Sequence, residues 1–140
     1  MNNIQITKTP ITITRYAIKA YARATDNLHP MYLEQESAAE WGLARTLVPS
    51  CFWGQLSFSK IILGQADYIP TGGVHIRQSY KLYRPVYEGD KIHIQLQIIQ
   101  RTDDKGRALL EYRLDFSNQD QELVASSIMV NLLPTSAGGK

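Results

Sequence analysis

The sequence predicts an α+β fold, one antiparallel sheet wrapped around a single long buried helix. Three observations predict it. Residues 51–63 carry Phe52, Trp53, Leu56, Ile61, Ile62 and Leu63 and are apolar nearly all round, as a helix covered on every side must be. From Val74 onward the apolar period falls to two, which is the period of a strand with one wet face. Short polar turns separate these alternating runs, so neighbouring strands return antiparallel. A sheet curled around one helix buries both economically. The 140 residues amount to one domain, and a chain of this size buries roughly 68% of its unfolded surface without staples.

The elements follow in order. Residues 4–13 alternate β-branched and polar side chains, and Pro10 limits any strand there to an edge or a short piece. Thr14 is suited to cap a helix. Ala17, Ala20, Tyr21 and Ala24 then recur at helical spacing, and the run Asp26-Asn27-Leu28-His29-Pro30 ends that helix. A short helix spans about residues 34–41, with Gly42 beyond its end. The long apolar helix of residues 51–63 follows Pro49-Ser50 and stops at Gly64. Gly72-Gly73 turns the chain into an extended run that reaches Pro85. Glu88-Gly89-Asp90 is a turn. Ile92, Ile94, Leu96 and Ile98 alternate with His93, Gln95 and Gln97. Residues 103–106 turn the chain, Leu110, Tyr112, Leu114 and Phe116 form another strand, residues 118–121 turn again, and residues 123–133 form the last. The domain is expected over residues 1–134, with a disordered tail at 135–140.

Composition removes several function classes. Apolar residues at 44% and charged residues at 20% describe an ordinary globular chain. Fifteen Lys and Arg against 13 Asp and Glu give a net charge of +2, with no dense basic run, so nucleic acid is not an expected partner. Cys51 stands alone, which excludes an intramolecular disulfide and suits a reducing, cytoplasmic setting. No leader-like segment opens the sequence and no run of ~18 apolar residues occurs, so no membrane span is expected. His29, His75 and His93 lack ligand spacing, so no metal is expected. No phosphate-cradling glycine loop exists either, and no cofactor is expected.

The chemistry-bearing cluster is Asp26-Asn27-Leu28-His29-Pro30-Met31-Tyr32, polar residues gathered in a loop after a helix. Asp26 and His29 are candidates for an acid–base pair. Read otherwise, the same residues are a helix stop with a surface histidine. Cys51 opens the apolar helix, where packing and nucleophilic roles are both open. Residues 51–63 contain no Asp or Glu. A hydrolase built on such a helix would want a carboxylate there to activate water.

Three stretches carry a family resemblance. The first runs from Ile13 through Tyr32 to Ser37-Ala38-Ala39-Glu40-Trp41-Gly42. The second is Leu47-Val48-Pro49-Ser50-Cys51-Phe52. The third is Gly73-Val74-His75-Ile76-Arg77-Gln78-Ser79-Tyr80, continued by Tyr83-Arg84-Pro85-Val86 and Gly89-Asp90. In their order and spacing they resemble the MaoC-like dehydratases, hotdog-fold proteins that act on acyl thioesters. In the family's active hydratases an Asp precedes Asn-Pro-x-His, and that Asp and His do the acid–base chemistry. With Pro30 on the family proline, Tyr32 falls on the histidine position. Asp26 stands near the Asp position, in a loop one residue longer. The His-Gly that opens the central helix of active members is replaced by Pro49-Ser50-Cys51-Phe52.

The resemblance therefore implies the acyl-binding half of a hydroxyacyl-thioester dehydratase or hydratase, in fatty-acid or polyketide-type metabolism, whose catalytic Asp and His come from a second hotdog subunit. Dehydration needs a base at the α-carbon and an acid at the leaving hydroxyl. A tyrosine side chain, with a reference pKa near ~10, is a poor base at neutral pH. The expected substrate-binding residues are Pro49, Ser50, Cys51, Phe52, Trp53, Tyr80, Tyr83 and Arg84, with Phe58 as a further wall. Asp26, His29 and Tyr32 are the candidates at the catalytic positions. Expected partners are that second subunit or a second copy of the chain, together with acyl-ACP or acyl-CoA. Two other readings remain open: a self-sufficient homodimeric dehydratase using Asp26 and His29, and a non-enzymatic acyl- or carrier-binding module. Arg77, Lys81 and Arg84 are candidates for a phosphopantetheine patch, although their spacing does not put all three on one strand face.

Overall fold

The structure, a computed structural model, describes residues 3–5, 7, 9–57 and 70–135. The alternating N-terminal segment divides at Pro10 as its composition requires. It forms β1 (Asn3–Gln5) and β2 (Ile11–Thr12). Thr14 caps α1 (Arg15–Ala24), its Oγ1 accepting from the Ala17 amide at 3.1 Å. Two short helices follow, α2 (Pro30–Leu33) and α3 (Gln35–Glu40). Gly42 lies just past α3 at φ +75°, the left-handed conformation that ends helices. Residues 52–57 are helical. The strands β3 (Val74–Leu82), β4 (Lys91–Thr102), β5 (Ala108–Ser117) and β6 (Leu123–Leu132) complete the chain.

The strand order is β1-β4-β5-β6-β3, with β2 also on β4, and every pairing is antiparallel. Tight polar turns make β4, β5 and β6 the expected meander. β3 lies on the far side of β6 instead of beside β4. The cause lies in residues 83–88, which leave the sheet. The Tyr83 and Arg84 amides both donate to the Val124 carbonyl, at 2.9 and 3.2 Å. Pro85 has no amide to donate. Val48 N–H donates to the Val86 carbonyl at 2.9 Å, and Glu88 N–H to the Thr46 carbonyl at 2.9 Å. The chain thus passes against residues 46–48 before re-entering as β4.

One face of the sheet holds the core. Ile94 and Leu96 pair with Phe116 and Leu114, and all four are fully buried. Phe52, Trp53 and Leu56 pack on them, with the Trp53 and Phe116 ring centroids 4.8 Å apart. The apolar helix expected over residues 51–63 is described only to Ser57. Its remainder, including Phe58 and Gly64, lies outside the described residues, as does the tail from 136 onward.

Three expectations change. Cys51, for which packing was one of the two roles considered, is exposed, because the helical turn begins one residue later and directs Phe52 and Trp53 inward. In α1 the buried pair is Ile18 and Ala22, flanked by half-buried Ala17 and Tyr21, whereas Ala20 and Ala24 face solvent. A branched side chain gains more from burial than an alanine, so Ile18 sets the rotation of the helix. Finally, Pro30 does not only end α1. It also starts α2, since its fixed φ suits the first helical position.

Candidate functional site

Tyr32 reaches the interior because of what precedes it. Asp26 adopts φ +54°, and the Asn27 amide donates to the Ala22 carbonyl at 2.8 Å, closing α1. His29 then caps α2, its Nδ1 accepting from the Met31 amide at 3.3 Å. The His29 ring also meets Trp41 and Tyr32 edge-on, with centroids 5.4 and 6.2 Å apart. Pro30 and the short α2 turn Tyr32 inward, where it is half-buried and packs on the core.

Tyr32 borders a cleft of about 300 Å³. Ser50 and Trp53 line it from the start of the central helix, and Leu82, Tyr83, Arg84 and Val86 line it from the end of β3 and the crossing segment. Trp53 is buried, and Arg84 stands exposed with its guanidinium 3.7 Å from Glu122. The Tyr83 hydroxyl lies 3.4 Å from the Ser126 hydroxyl, and the Lys81 ammonium lies over the Tyr83 ring at 5.3 Å. The result is an apolar trough lined by two phenols, those of Tyr32 and Tyr83, and the Ser50 hydroxyl, with a cation at its rim. Such a trough can hold an extended apolar chain and meet an anionic group at one end.

The candidate residues thus divide. Tyr32, Ser50, Trp53, Tyr83 and Arg84 share the cleft. Pro49 is buried behind it, and its carbonyl accepts the Phe52 amide at 3.0 Å. Phe52 faces a different groove, of about 430 Å³, against Tyr21 of α1. Tyr80 lies over Gly54, so close that a Cβ built there would stand 1.9 Å from its hydroxyl. Burial raises the Tyr80 phenol above its ordinary value, and the Cys51 thiol and Tyr21 phenol beside it add to the shift. Asp26 and His29 are not part of the cleft lining, and no hydrogen bond joins them. The Asp26 side chain is exposed, and the His29 ring is engaged as a cap. Among the described residues, the lining therefore contains no carboxylate and no imidazole. The aliphatic walls, Leu47, Val48, Leu82 and Val86, were not singled out as binding residues. Their only sequence signal is that they flank positions that were.

Near the cleft, two carboxylates, the buried Asp90 and the half-buried Glu88, hold the loops in place. Asp90 accepts from the Tyr87 amide at 2.9 Å, the Gln119 amide group at 3.2 Å and the Arg45 guanidinium at 3.3 Å. Glu88 accepts from the Thr46 hydroxyl at 2.9 Å and pairs with Arg15 at 3.1 Å. These bonds tie α1, the 45–48 segment and the crossing segment together, and so fix the cleft walls.

Comparison with known proteins adds the following. Residues 3–127 match the family model described as FAS1-like, dehydratase domain region. A mitochondrial 3-hydroxyacyl-[acyl-carrier-protein] dehydratase of Arabidopsis thaliana is 30% identical over 120 residues, covering 82% of this chain and 69% of that protein. Among solved structures, a MaoC-like dehydratase superposes with a TM-score of 0.82 at 20% identity. The match takes in 96% of this chain, which spans only 42% of that longer one. The HadBC (3R-hydroxyacyl-ACP dehydratase) complex of Mycobacterium tuberculosis superposes with a TM-score of 0.75 at 23% identity, covering 89% of this chain and 91% of the matched chain.

Proposed function

The chain belongs to the FAS1-like dehydratase-domain family, within the hydroxyacyl-thioester dehydratases and hydratases, and on that premise we propose that it is the substrate-holding, non-catalytic subunit of such an enzyme. The observation that carries this reading is the composition of the cleft. Tyr32 occupies it at the position where the resemblance puts a catalytic histidine, and neither Asp26 nor His29 lines it. Removing a proton from the α-carbon of an acyl thioester needs a positioned base within hydrogen-bond reach. The cleft offers an apolar trough for the acyl chain and Arg84 for an anionic group of the carrier or CoA but, among the described residues, no such base. The acid and base come from a second hotdog subunit of the same family. The substrate is an acyl chain on CoA or on a carrier protein, in fatty-acid or polyketide-type metabolism. A reducing compartment such as the cytoplasm suits a chain whose one thiol, Cys51, is exposed. Among the described residues no helix is long and apolar enough to cross a membrane.

The test is hydration of crotonyl-CoA by the purified chain. The expected rate does not exceed that without protein, and activity appears on adding a family member with an intact Asp and His loop. Strong turnover by the chain alone that is lost in His29→Ala would replace this reading with a self-sufficient enzyme.

A further inference from the structure

The cleft beside Tyr32 has a mouth and a floor. Leu82, Tyr83 and Arg84 at its mouth are exposed. Among the described residues, its floor is Val48, Trp53 and Val86, all buried and all part of the core cluster. Val48 and Val86 are small, and the Val48 amide donates to the Val86 carbonyl at 2.9 Å, so the backbone fixes that part of the floor. Trp53 is different. Its indole backs onto Phe116 of β5, with ring centroids 4.8 Å apart, and onto Phe52 at 6.2 Å. Both phenylalanines are buried. Close-packed rings leave no room for a ligand beyond the indole.

The trough also has a direction. Its cation, Arg84, stands at the mouth, and its buried apolar side chains lie inward. Burying a charge is costly and burying methylenes is favourable, so an acyl thioester enters with its carrier or CoA outside and its methyl end toward Trp53. The space is limited. The cleft holds about 300 Å³, the lower end of the ~300–1,000 Å³ that small-molecule sites span. A methylene fills about as much space as a water molecule in the liquid, ~30 Å³. The trough therefore has room for about ten heavy atoms, of which the thioester group takes about two.

We propose that the trough takes medium-length acyl chains, of about eight carbons, and that Trp53 is the residue that sets this limit. Each methylene laid in the trough tightens binding by up to roughly fourfold, the worth of one buried CH₂. A carbon that outruns the indole turns back into water and gains nothing. Affinity therefore climbs with chain length and then stops. Shortening Trp53 moves the stop. Leucine in its place leaves an apolar space continuous with the trough and bounded by Phe52 and Phe116. Such a space stays dry and accepts apolar groups. This deepens the substrate-holding reading and rests on it for the class of ligand. The two fail differently. If acyl-CoA binds no better than CoA, the substrate-holding reading falls and the proposal with it. If acyl-CoA binds and its length dependence ignores Trp53, only the proposal falls.

The probes are butyryl-, octanoyl-, dodecanoyl- and palmitoyl-CoA, titrated calorimetrically into the full chain and into its Trp53→Leu variant. In the wild type, affinity is expected to rise roughly 100-fold from butyryl- to octanoyl-CoA and by less than about 2-fold from octanoyl- to dodecanoyl-CoA. In Trp53→Leu the ratio of dodecanoyl to octanoyl affinity is expected to rise roughly 10-fold, as for about two further buried methylenes. A merely structural loss weakens every ester alike and leaves that ratio unmoved. Because Trp53→Leu removes a core ring, a second measurement keeps the indole in place. In Trp41→Phe, Trp53 is the one tryptophan left. Octanoyl-CoA brominated at its terminal carbon brings a heavy atom against that indole, and is expected to quench its emission more strongly than octanoyl-CoA brominated midway along the chain. Wild-type affinity that keeps climbing to palmitoyl-CoA, an unchanged ratio in a folded Trp53→Leu, or quenching no stronger from the terminal bromine overturns the proposal.

Discussion

Gly54 and Tyr80 meet where the strand edge crosses the central helix, and their contact gives glycine a role that its backbone does not require. Alanine is the better helix former by ~1 kcal/mol. Alone, that would make Gly54→Ala stabilising. The added Cβ would stand 1.9 Å from the Tyr80 hydroxyl and 2.8 Å from its ring carbon, so the tyrosine must move off the helix. Gly54→Ala is expected to destabilise the protein by about 1–3 kcal/mol, the usual cost of overpacking. In a Tyr80→Ala background the same change should be neutral or stabilising by up to ~1 kcal/mol. Urea unfolding of the four proteins reads the change of sign, and an equal effect in both backgrounds rejects the contact. His29 teaches a related lesson at this scale. Its place before Pro30 suits a cap as well as it suits an acid–base pair, and only the 3.3 Å bond from the Met31 amide separates the two.

At the scale of elements, the β4–β5 turn depends on one carboxylate. Asp103 accepts from the Lys105 and Arg107 amides at 3.0 and 2.8 Å and from the Arg107 guanidinium at 2.7 Å. The backbone bond from Arg107, followed by its side-chain bond, holds the Asp103 carboxyl below its ordinary value of 3.8. A carboxyl whose folded pKa is depressed stabilises the fold above its unfolded pKa and stops doing so as pH falls through the folded one. The contribution of the turn is therefore complete above about pH 5 and is lost on acidification below about pH 4. Asp103→Asn is expected to lower the urea midpoint at pH 7 and to narrow its drop between pH 7 and pH 3. A variant with an undiminished drop would show that Asp103 is not held by the turn. Other elements differ in how openly the sequence announces them. β4 and β5 were legible because alternation over a whole strand leaves one face for the core. α2 was not, because four residues carry no periodicity and a proline reads as a stop before it reads as a start. The place of β3 was hidden as well. It follows from the bonds of the Tyr83, Arg84, Val48 and Glu88 amides, and backbone bonds leave no mark on side-chain pattern.

For the molecule as a whole, the site is a product of topology. α2 brings Tyr32, the central helix brings Ser50 and Trp53, and the crossing segment brings Tyr83 and Arg84. Each residue type was visible in the sequence, but their convergence depends on residues 83–88 leaving the sheet after β3 to pass beside residues 46–48. The two tryptophans make that convergence measurable. Trp53 is 3% exposed and lines the cleft, whereas Trp41 is 65% exposed and sits on His29. In Trp41→Phe the remaining indole emission therefore comes from the cleft wall. Octanoyl-CoA is expected to change that emission saturably, and CoA without an acyl chain to change it far less, because the trough is mainly apolar and gains from burying methylenes. Arg84→Glu should weaken octanoyl-CoA binding only roughly 2–5-fold, since an exposed cation contributes ~0.2–1 kcal/mol. Ser50→Phe, which fills the trough without adding an indole, should abolish the response while leaving the fold intact by circular dichroism. Emission that responds equally to CoA and octanoyl-CoA, or that survives Ser50→Phe, would move acyl binding out of this cleft. The substrate-holding role would then have to be sought in the groove between Phe52 and α1.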